Sequence, residues 1–419
     1  MNSAVITLVI LAVAAVLFVT DVLPIGLTAM MVATSLALFG VLEPKEAFAG
    51  FADSNVILFG AMFIVGGALF ETGMAYKIGK FCTGLAKTER QLLVIVMAVT
   101  ALLSSVLSNT GTIAVLLPVV ISIADAAGIK RSKILMPFGF AAGMGGICTL
   151  IGTPACAIAN TNLEGMAGIS LSFFEFAKTG IPLTIAGIIF LGLFGHKLVP
   201  DREPGDESVA NGEKQGVPAW KQWVSFGVLI ITVFGMIFEK KIGYPFFFVG
   251  VVGAIVLMLT GVISEKQAFA AIDMKTIFLT VGMIPMAKAM VSTGASAMLA
   301  NAVLGVFGER PSPYFIIAVV FVISALLTQF MTNNACMTLV APIAISIAQG
   351  LGANPVAVVM ATLLGANASF CTPIAMTPNT MVYSYGGYKF KDYMRVGFPL
   401  EIIYFIGALI LCPIIWPFY

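Results

Sequence analysis

Apolar runs follow one another from end to end of the chain, and the polar residues that interrupt them fall at recurring places. A hydrocarbon core of about 30 Å is crossed by roughly 20 apolar residues in a helix. Runs of this kind lie near residues 4–20, 23–42, 54–73, 133–165 and 177–196, and again near 223–239, 244–262, 276–292, 355–385 and 396–416. They predict five crossings in each half. Val5 to Val19 has no basic residue before it and runs on through Asp21 and Pro24 into the next apolar stretch, so it reads as a first span rather than a cleaved signal. Between the third and fourth runs of each set lies an apolar stretch broken by polar residues, Leu92 to Ala126 and Tyr314 to Gln349. Both read as re-entrant hairpins, at about 92–126 and 314–350.

The most polar stretch, Lys197 to Lys221, falls near the midpoint and reads as a linker. The flanking halves align with each other. Val41 to Gly73 matches Val262 to Gly294 at 10 of 33 positions, and Thr100 to Gly128 matches Ser324 to Gly352 at 10 of 29. A third block pairs Thr153-Pro154 with Thr372-Pro373, and Asn160-Thr161 with Asn379-Thr380. An odd number of crossings per half turns the second half upside down relative to the first. The expected fold is therefore an all-α integral membrane protein of two inverted repeats, each with five spans and one re-entrant hairpin, with helices broken at mid-membrane. Its expected divisions are 1–197, a cytoplasmic linker 198–221, and 222–419.

Composition agrees with this pattern: 59% of the residues are hydrophobic and 10% are charged, against about 25% charged in soluble domains. A net charge of +2 with dispersed basic residues excludes nucleic acid as a partner. The lone histidine, His196, excludes a histidine-built metal centre or a Ser-His-Asp triad. No clustered nucleophile or acid/base pair is present, so an enzyme is not expected. The six cysteines, Cys82, Cys148, Cys156, Cys336, Cys371 and Cys412, lack metal-ligand spacing and read as small packing residues. The span model puts sixteen lysines and arginines on one side, among them Lys77, Lys87, Arg131, Lys197, Arg202, Lys214, Lys275 and Arg395. The other side has five, Lys45, Lys178, Lys240, Lys241 and Arg310. The richer side is expected to be cytoplasmic, with both termini outside.

The hairpin tips carry the candidate chemistry: Ser104-Ser105-Val106-Leu107-Ser108-Asn109-Thr110-Gly111 and Thr328-Gln329-Phe330-Met331-Thr332-Asn333-Asn334-Ala335. Ser104 and Ser108, like Thr328 and Thr332, are four residues apart and would share a face on a helix ending at the tip. Hydroxyl, amide and freed carbonyl oxygens suit a small hard cation, and broken backbone survives at membrane depth only where it lines a cavity. The first N–H groups of the next helix suit an anion. Gly152-Thr153-Pro154 and Cys371-Thr372-Pro373 break the fourth span of each half, because proline removes a backbone donor and obstructs the helix. One Thr-Pro kink is ordinary packing; matched interruptions in both repeats point to one shared site. Glu71 and Lys288 are taken as the ionisable residues closest to span interiors, and both lie near enough to span ends to be solvated there. With no arginine at the interruptions, anion binding falls to backbone and amide donors plus a bound cation.

At these residues the chain resembles the divalent-anion/sodium symporter family, carriers of dicarboxylate, citrate or sulfate in the wider ion-transporter superfamily. Ser108-Asn109-Thr110 with a Gly-Thr-Pro break downstream is its strongest element. The resemblance implies a first sodium site at Ser104, Ser108, Asn109 and Gly152. It implies a second at Thr328, Met331, Asn333 and Cys371, with Met331 and Cys371 acting through the backbone. It assigns substrate contacts to Asn109, Thr110, Thr153, Pro154, Asn333, Asn334, Thr372 and Pro373. The second tip departs from the family's usual Ser-Asn-Thr: Thr332-Asn333-Asn334 places a larger amide where a hydroxyl is usual. Sodium as coupling ion, no organic cofactor, a homodimer in the inner or plasma membrane, and an elevator movement are further implications.

The expected function is thus sodium-coupled symport of a small divalent anion, first of all a C4-dicarboxylate. Citrate and sulfate also fit the site, and so does proton-coupled exchange or another superfamily activity on arsenite or on sodium and protons. Proton coupling calls for a carboxylate or histidine at the ion site, and the sequence places none at either tip.

Overall fold

The computed structural model describes residues 2–20, 22–83, 88–202, 216–298, 301 and 312–419. Most of the expected linker, with Lys214, lies outside the described residues, as do Lys87 and Arg310. Helices and their connections make up the described chain, with no strand among those residues.

Helices long and apolar enough to span a membrane are Ser54–Glu71, Ala177–Leu198, Ala219–Ile237, Met274–Ser292 and Phe390–Ile415. Two expected spans come out shorter. Ile25–Leu38 and Phe246–Leu259 each have 14 residues, about 21 Å at 1.5 Å per residue. Each stops at a glycine in the left-handed region, Gly40 at φ 66° and Gly261 at φ 68°. There the N–H of Val41 reaches back to Leu36 O (2.9 Å), and that of Val262 to Leu257 O (3.1 Å). A side chain at either glycine would resist that conformation, so the matched residues end both helices in the same way. The two helices therefore end with the same backbone bond at aligned positions.

The helices divide into two packed groups. In one, Ile25–Leu38 lies along Met274–Ser292, while Ser54–Glu71 packs against Phe246–Leu259 and Ala219–Ile237. In the other, each hairpin clasps a broken helix: Glu89–Ser104 and Asn109–Ala126 hold Arg131–Gly146, and Pro313–Thr328 and Asn333–Gly350 hold Pro355–Asn367. Arg131–Gly146 and Pro355–Asn367 are buried almost throughout. Helices buried all round belong to the interior. Phe140 meets Phe370 and Tyr393 edge-on at 5.3 and 5.8 Å, joining the first broken helix to the second half; such pairs are worth about 0.5–1.5 kcal/mol each. Tyr388 completes the join, its hydroxyl accepting from Met136 N (2.7 Å) and donating to Ser132 O (2.5 Å).

The last helix presents Met394, Phe398, Ile402, Ile406, Ile410 and Ile414 outward, one residue per turn. Ala177–Leu198 does the same with Ile181, Ile185, Ile189 and Leu193. An outer face this apolar is satisfied by lipid or by another apolar surface, not by water. Lys288, taken from the sequence as a near-interior charge, pairs with Glu46 at 2.7 Å on a solvent-accessible edge, and Glu71 accepts from Gln267 Nε2 at 2.8 Å.

Candidate functional site

Both hairpins turn where the polar tips stand in the sequence. The inbound helices end at Ser104 and Thr328, and the outbound ones begin at Asn109 and Asn333. Ser108 and Thr332 are therefore not on one helical face with Ser104 and Thr328. They sit in extended backbone and cap the outbound helices, accepting from Gly111 N and Ala335 N at 3.2 Å each. A hydroxyl at this place satisfies a helix-start N–H that has no partner within the helix.

Behind each cap the same contacts recur. Ser104 Oγ donates to Asn109 Oδ1 (2.6 Å) and lies 2.9 Å from Ala142 O. Thr328 Oγ1 donates to Asn333 Oδ1 (2.9 Å) and lies 2.6 Å from Ala366 O. Turned about its amide, Asn109 would instead donate from Nδ2 to Ser104 Oγ (2.6 Å), Gly152 O (3.1 Å) and Ala142 O (3.2 Å). The first tip thus gathers a side-chain amide, a hydroxyl and two main-chain carbonyls, all uncharged oxygen ligands of the kind a small cation takes. At the second tip Asn333 Nδ2 donates to Asn367 Oδ1 (3.1 Å). Asn367 was not among the residues singled out in the sequence. Met331 is buried in the turn, its N–H on Leu327 O at 3.2 Å.

The breaks correct one sequence pairing. Thr372 Oγ1 donates to Gln329 O (3.2 Å) and accepts from Ala375 N (3.2 Å). In the first half these bonds belong to Thr149, which donates to Ser105 O and accepts from Gly152 N at 3.2 Å. Thr372 therefore corresponds to Thr149, not to Thr153, and Ala375 rather than Cys371 stands where Gly152 does. The second break is also the longer one. Its following helix starts at Thr377-Pro378, as the first starts at Pro154 after Thr153. Asn160 and Asn379 follow different paths as well: Asn160 accepts from Leu171 N and donates to Asn55, whereas Asn379 donates to Ser369 O and Thr372 O.

A cavity of about 870 Å³ brings the tips together. One wall is formed by Ser108, Asn109 and Thr110, by Thr332, Asn333 and Asn334, and by Thr153 and Pro154. Thr372 and Pro373, assigned to substrate by the family pattern, are not on this wall; Thr377 and Pro378 take their place. Ser104, Gly152, Thr328, Met331 and Cys371 are likewise absent from the lining. The opposite wall comes from the other helix group, through Pro24 to Leu27, Met30, Phe63 and Asp273 to Thr276.

A carboxylate also stands at the second tip, contrary to the sequence expectation. Glu401, within the last span, accepts from Gln329 Nε2 (3.2 Å) and from Cys371 Sγ (2.7 Å). Its counterpart is Thr184, which donates to Met144 O (2.8 Å) and lies 3.5 Å from Cys148 Sγ. The equivalence follows from two close approaches. A Cβ on Gly180 would stand 2.5 Å from Ile147 O, and one on Gly397 2.1 Å from Phe370 O. Both glycines let the span pass directly over a break, four residues before Thr184 and Glu401. The signal was present in sequence as Gly180-Ile181-Pro182-Leu183-Thr184 against Gly397-Phe398-Pro399-Leu400-Glu401. Five of the cysteines are buried, in keeping with their reading as packing residues, and Cys371 is the one turned toward a charge.

A citrate transporter family model (CitMHS) matches residues 15–363 and 236–419. The chain belongs to the citrate transporter family. As a member of that family it is a multi-pass membrane transporter, and its relatives are transporters rather than enzymes. An uncharacterised transporter of Haemophilus influenzae is 28% identical over 94% of this chain and 88% of its own. The uncharacterised transporter YfbS of Escherichia coli is 24% identical over 97% and 98%. The sodium-dependent dicarboxylate transporter SdcS of Staphylococcus saprophyticus is 21% identical over 92% and 81%. Among solved structures, the YdaH transporter of Alcanivorax borkumensis shares the fold at a TM-score of 0.66 and 13% identity, over 99% of this chain and 98% of that one.

Proposed function

We propose that this member of the citrate transporter family carries a small divalent anion, first of all a C4-dicarboxylate, into the cell with sodium ions. The observation that carries the reading is the pair of tips: two matched sets of neutral oxygen ligands border one cavity that also offers helix-start N–H groups. Sodium would be held at Ser104, Ser108, Asn109 and Gly152, and at Thr328, Met331 and Asn333 with Ala375 in place of Cys371. Bound there, it supplies the positive charge that the tips lack. The anion would meet Asn109, Thr110, Thr153, Pro154, Asn333 and Asn334, joined by Thr377 and Pro378. The sodium-dependent dicarboxylate transporters among the relatives support this choice of ion and substrate class.

The movement proposed is an elevator, in which the hairpins and broken helices carry the anion along the wall formed by Ile25–Leu38 and Met274–Ser292. Inverted repeats, a homodimer and extracytoplasmic termini belong to the same proposal. The test is uptake of radiolabelled succinate into proteoliposomes under an inward sodium gradient, with potassium substitution as control and sulfate, citrate and tartrate as competitors. Sodium-dependent uptake is the expected result; uptake indifferent to sodium would refute the coupling. Glu401 favours a second reading, proton-coupled anion transport, because a carboxylate at membrane depth is a functional candidate by default. Uptake driven by a pH gradient alone, and lost in Glu401→Gln, would select it.

A further inference from the structure

The two walls of the cavity differ in charge. The wall made by the tips and broken helices carries no ionisable side chain, whereas Asp273 and Lys275 on the opposite wall are the ionisable residues of the lining. Asp273 is already engaged: it accepts from Lys275 N (3.1 Å), Thr276 N (3.5 Å) and Thr276 Oγ1 (2.6 Å), capping Met274–Ser292. The Lys275 ammonium has no hydrogen bond or ion pair among the described residues, and its side chain is exposed. Its backbone passes close to Gly26, where an added Cβ would stand 3.6 Å from Lys275 O. An unpaired cation whose one charged neighbour in the lining, Asp273, is turned to the helix start leaves that cation available to whatever enters.

We propose that Lys275 is the anion-capturing residue of this transporter: its ammonium draws a multivalent anion into the cavity and sets a preference for higher anion charge. The inference rests on the anion-transport reading above. Low-dielectric walls focus the field of a charge into a cleft, raising local counter-ion concentration by about 10–10³. The attraction scales with the charge of the ligand, so a dianion gains more than a monoanion and a trianion more again. Because the tips ride on the other helix group, Lys275 acts on capture and release rather than on the translocation step.

The test uses the full-length protein in proteoliposomes, with succinate as probe, sodium held constant and ionic strength varied with choline chloride. In the wild type, KM is expected to rise as added salt shortens a Debye length of about 10 Å at 0.1 M. Lys275→Gln is expected to raise KM about tenfold with kcat within twofold, and to flatten the salt dependence, the lower end of the focusing range. Lys275→Arg should behave as wild type. A wild-type KM that ignores ionic strength, or a folded Lys275→Gln protein with unchanged KM and salt response, overturns the role of Lys275 while leaving succinate transport standing. Absence of wild-type anion uptake under every gradient overturns the transport reading and this inference with it.

Discussion

At the first tip Cys148 and Thr184 lie 3.5 Å apart as uncharged groups while the Ser105 hydroxyl turns back to Leu102 O; at the second, Gln329 and Cys371, at the matched positions, both donate to Glu401. The hydrogen-bond frame around them is shared, from the Ser108 and Thr332 caps to the hydroxyls on Ala142 O and Ala366 O. A frame kept twice, with different charge placed on it, separates what holds a tip in shape from what it binds. The frame offers both tips the oxygen ligands that the proposed sodium sites require, and the carboxylate gives only the second a reason to respond to an added positive charge. Asn367 sharpens the difference, since it braces Asn333 at a place where the first half has Gly143, whose missing side chain leaves room for Met376.

The largest effect should come from the asparagine that each frame surrounds. Asn109→Ala and Asn333→Ala are each expected to abolish sodium-driven uptake with the protein still folded by size-exclusion profile; normal transport by both would remove the tips as ion sites. Next comes the charge. Glu401→Gln is expected to weaken apparent sodium affinity roughly tenfold, as loss of an outer-shell partner of a metal site does, and Thr184→Val less than twofold. Equal effects from the two would erase the distinction between the tips.

Smaller again is Asn367→Ala, which leaves Asn333 Nδ2 without its partner and should cost about 1 kcal/mol, a few-fold in sodium affinity. The smallest and most symmetric effect is expected from Thr149→Val and Thr372→Val. Each removes one matched hydroxyl and should lower thermal stability by a similar amount, about 1 kcal/mol. A large difference between them would break the register that equates Thr149 with Thr372.

The hairpins, the tips and the repeat were legible in the sequence because polar residues inside apolar runs are costly and therefore sparse and conspicuous. The register of the second break was not. Two Thr-Pro pairs lie close together there, Thr372-Pro373 and Thr377-Pro378, and only the bonds of the Thr372 hydroxyl tell which one plays which part. The face shared by Ser104 and Ser108 also failed, because the turn between them ends one helix and starts the next. Glu401 is not legible from the tip sequences, because its placement depends on a span from the last part of the chain crossing over the break. Lys275 stood in a loop by sequence, and the cavity that includes it forms only when the two helix groups meet.

The central claim is that both tips bind sodium and act on one anion. The most direct measurement is the initial rate of succinate uptake as a function of sodium concentration in proteoliposomes at fixed ionic strength. A sigmoidal dependence with a Hill coefficient above one is the expected result. A rate independent of sodium, or a hyperbolic dependence on a single ion, would contradict it.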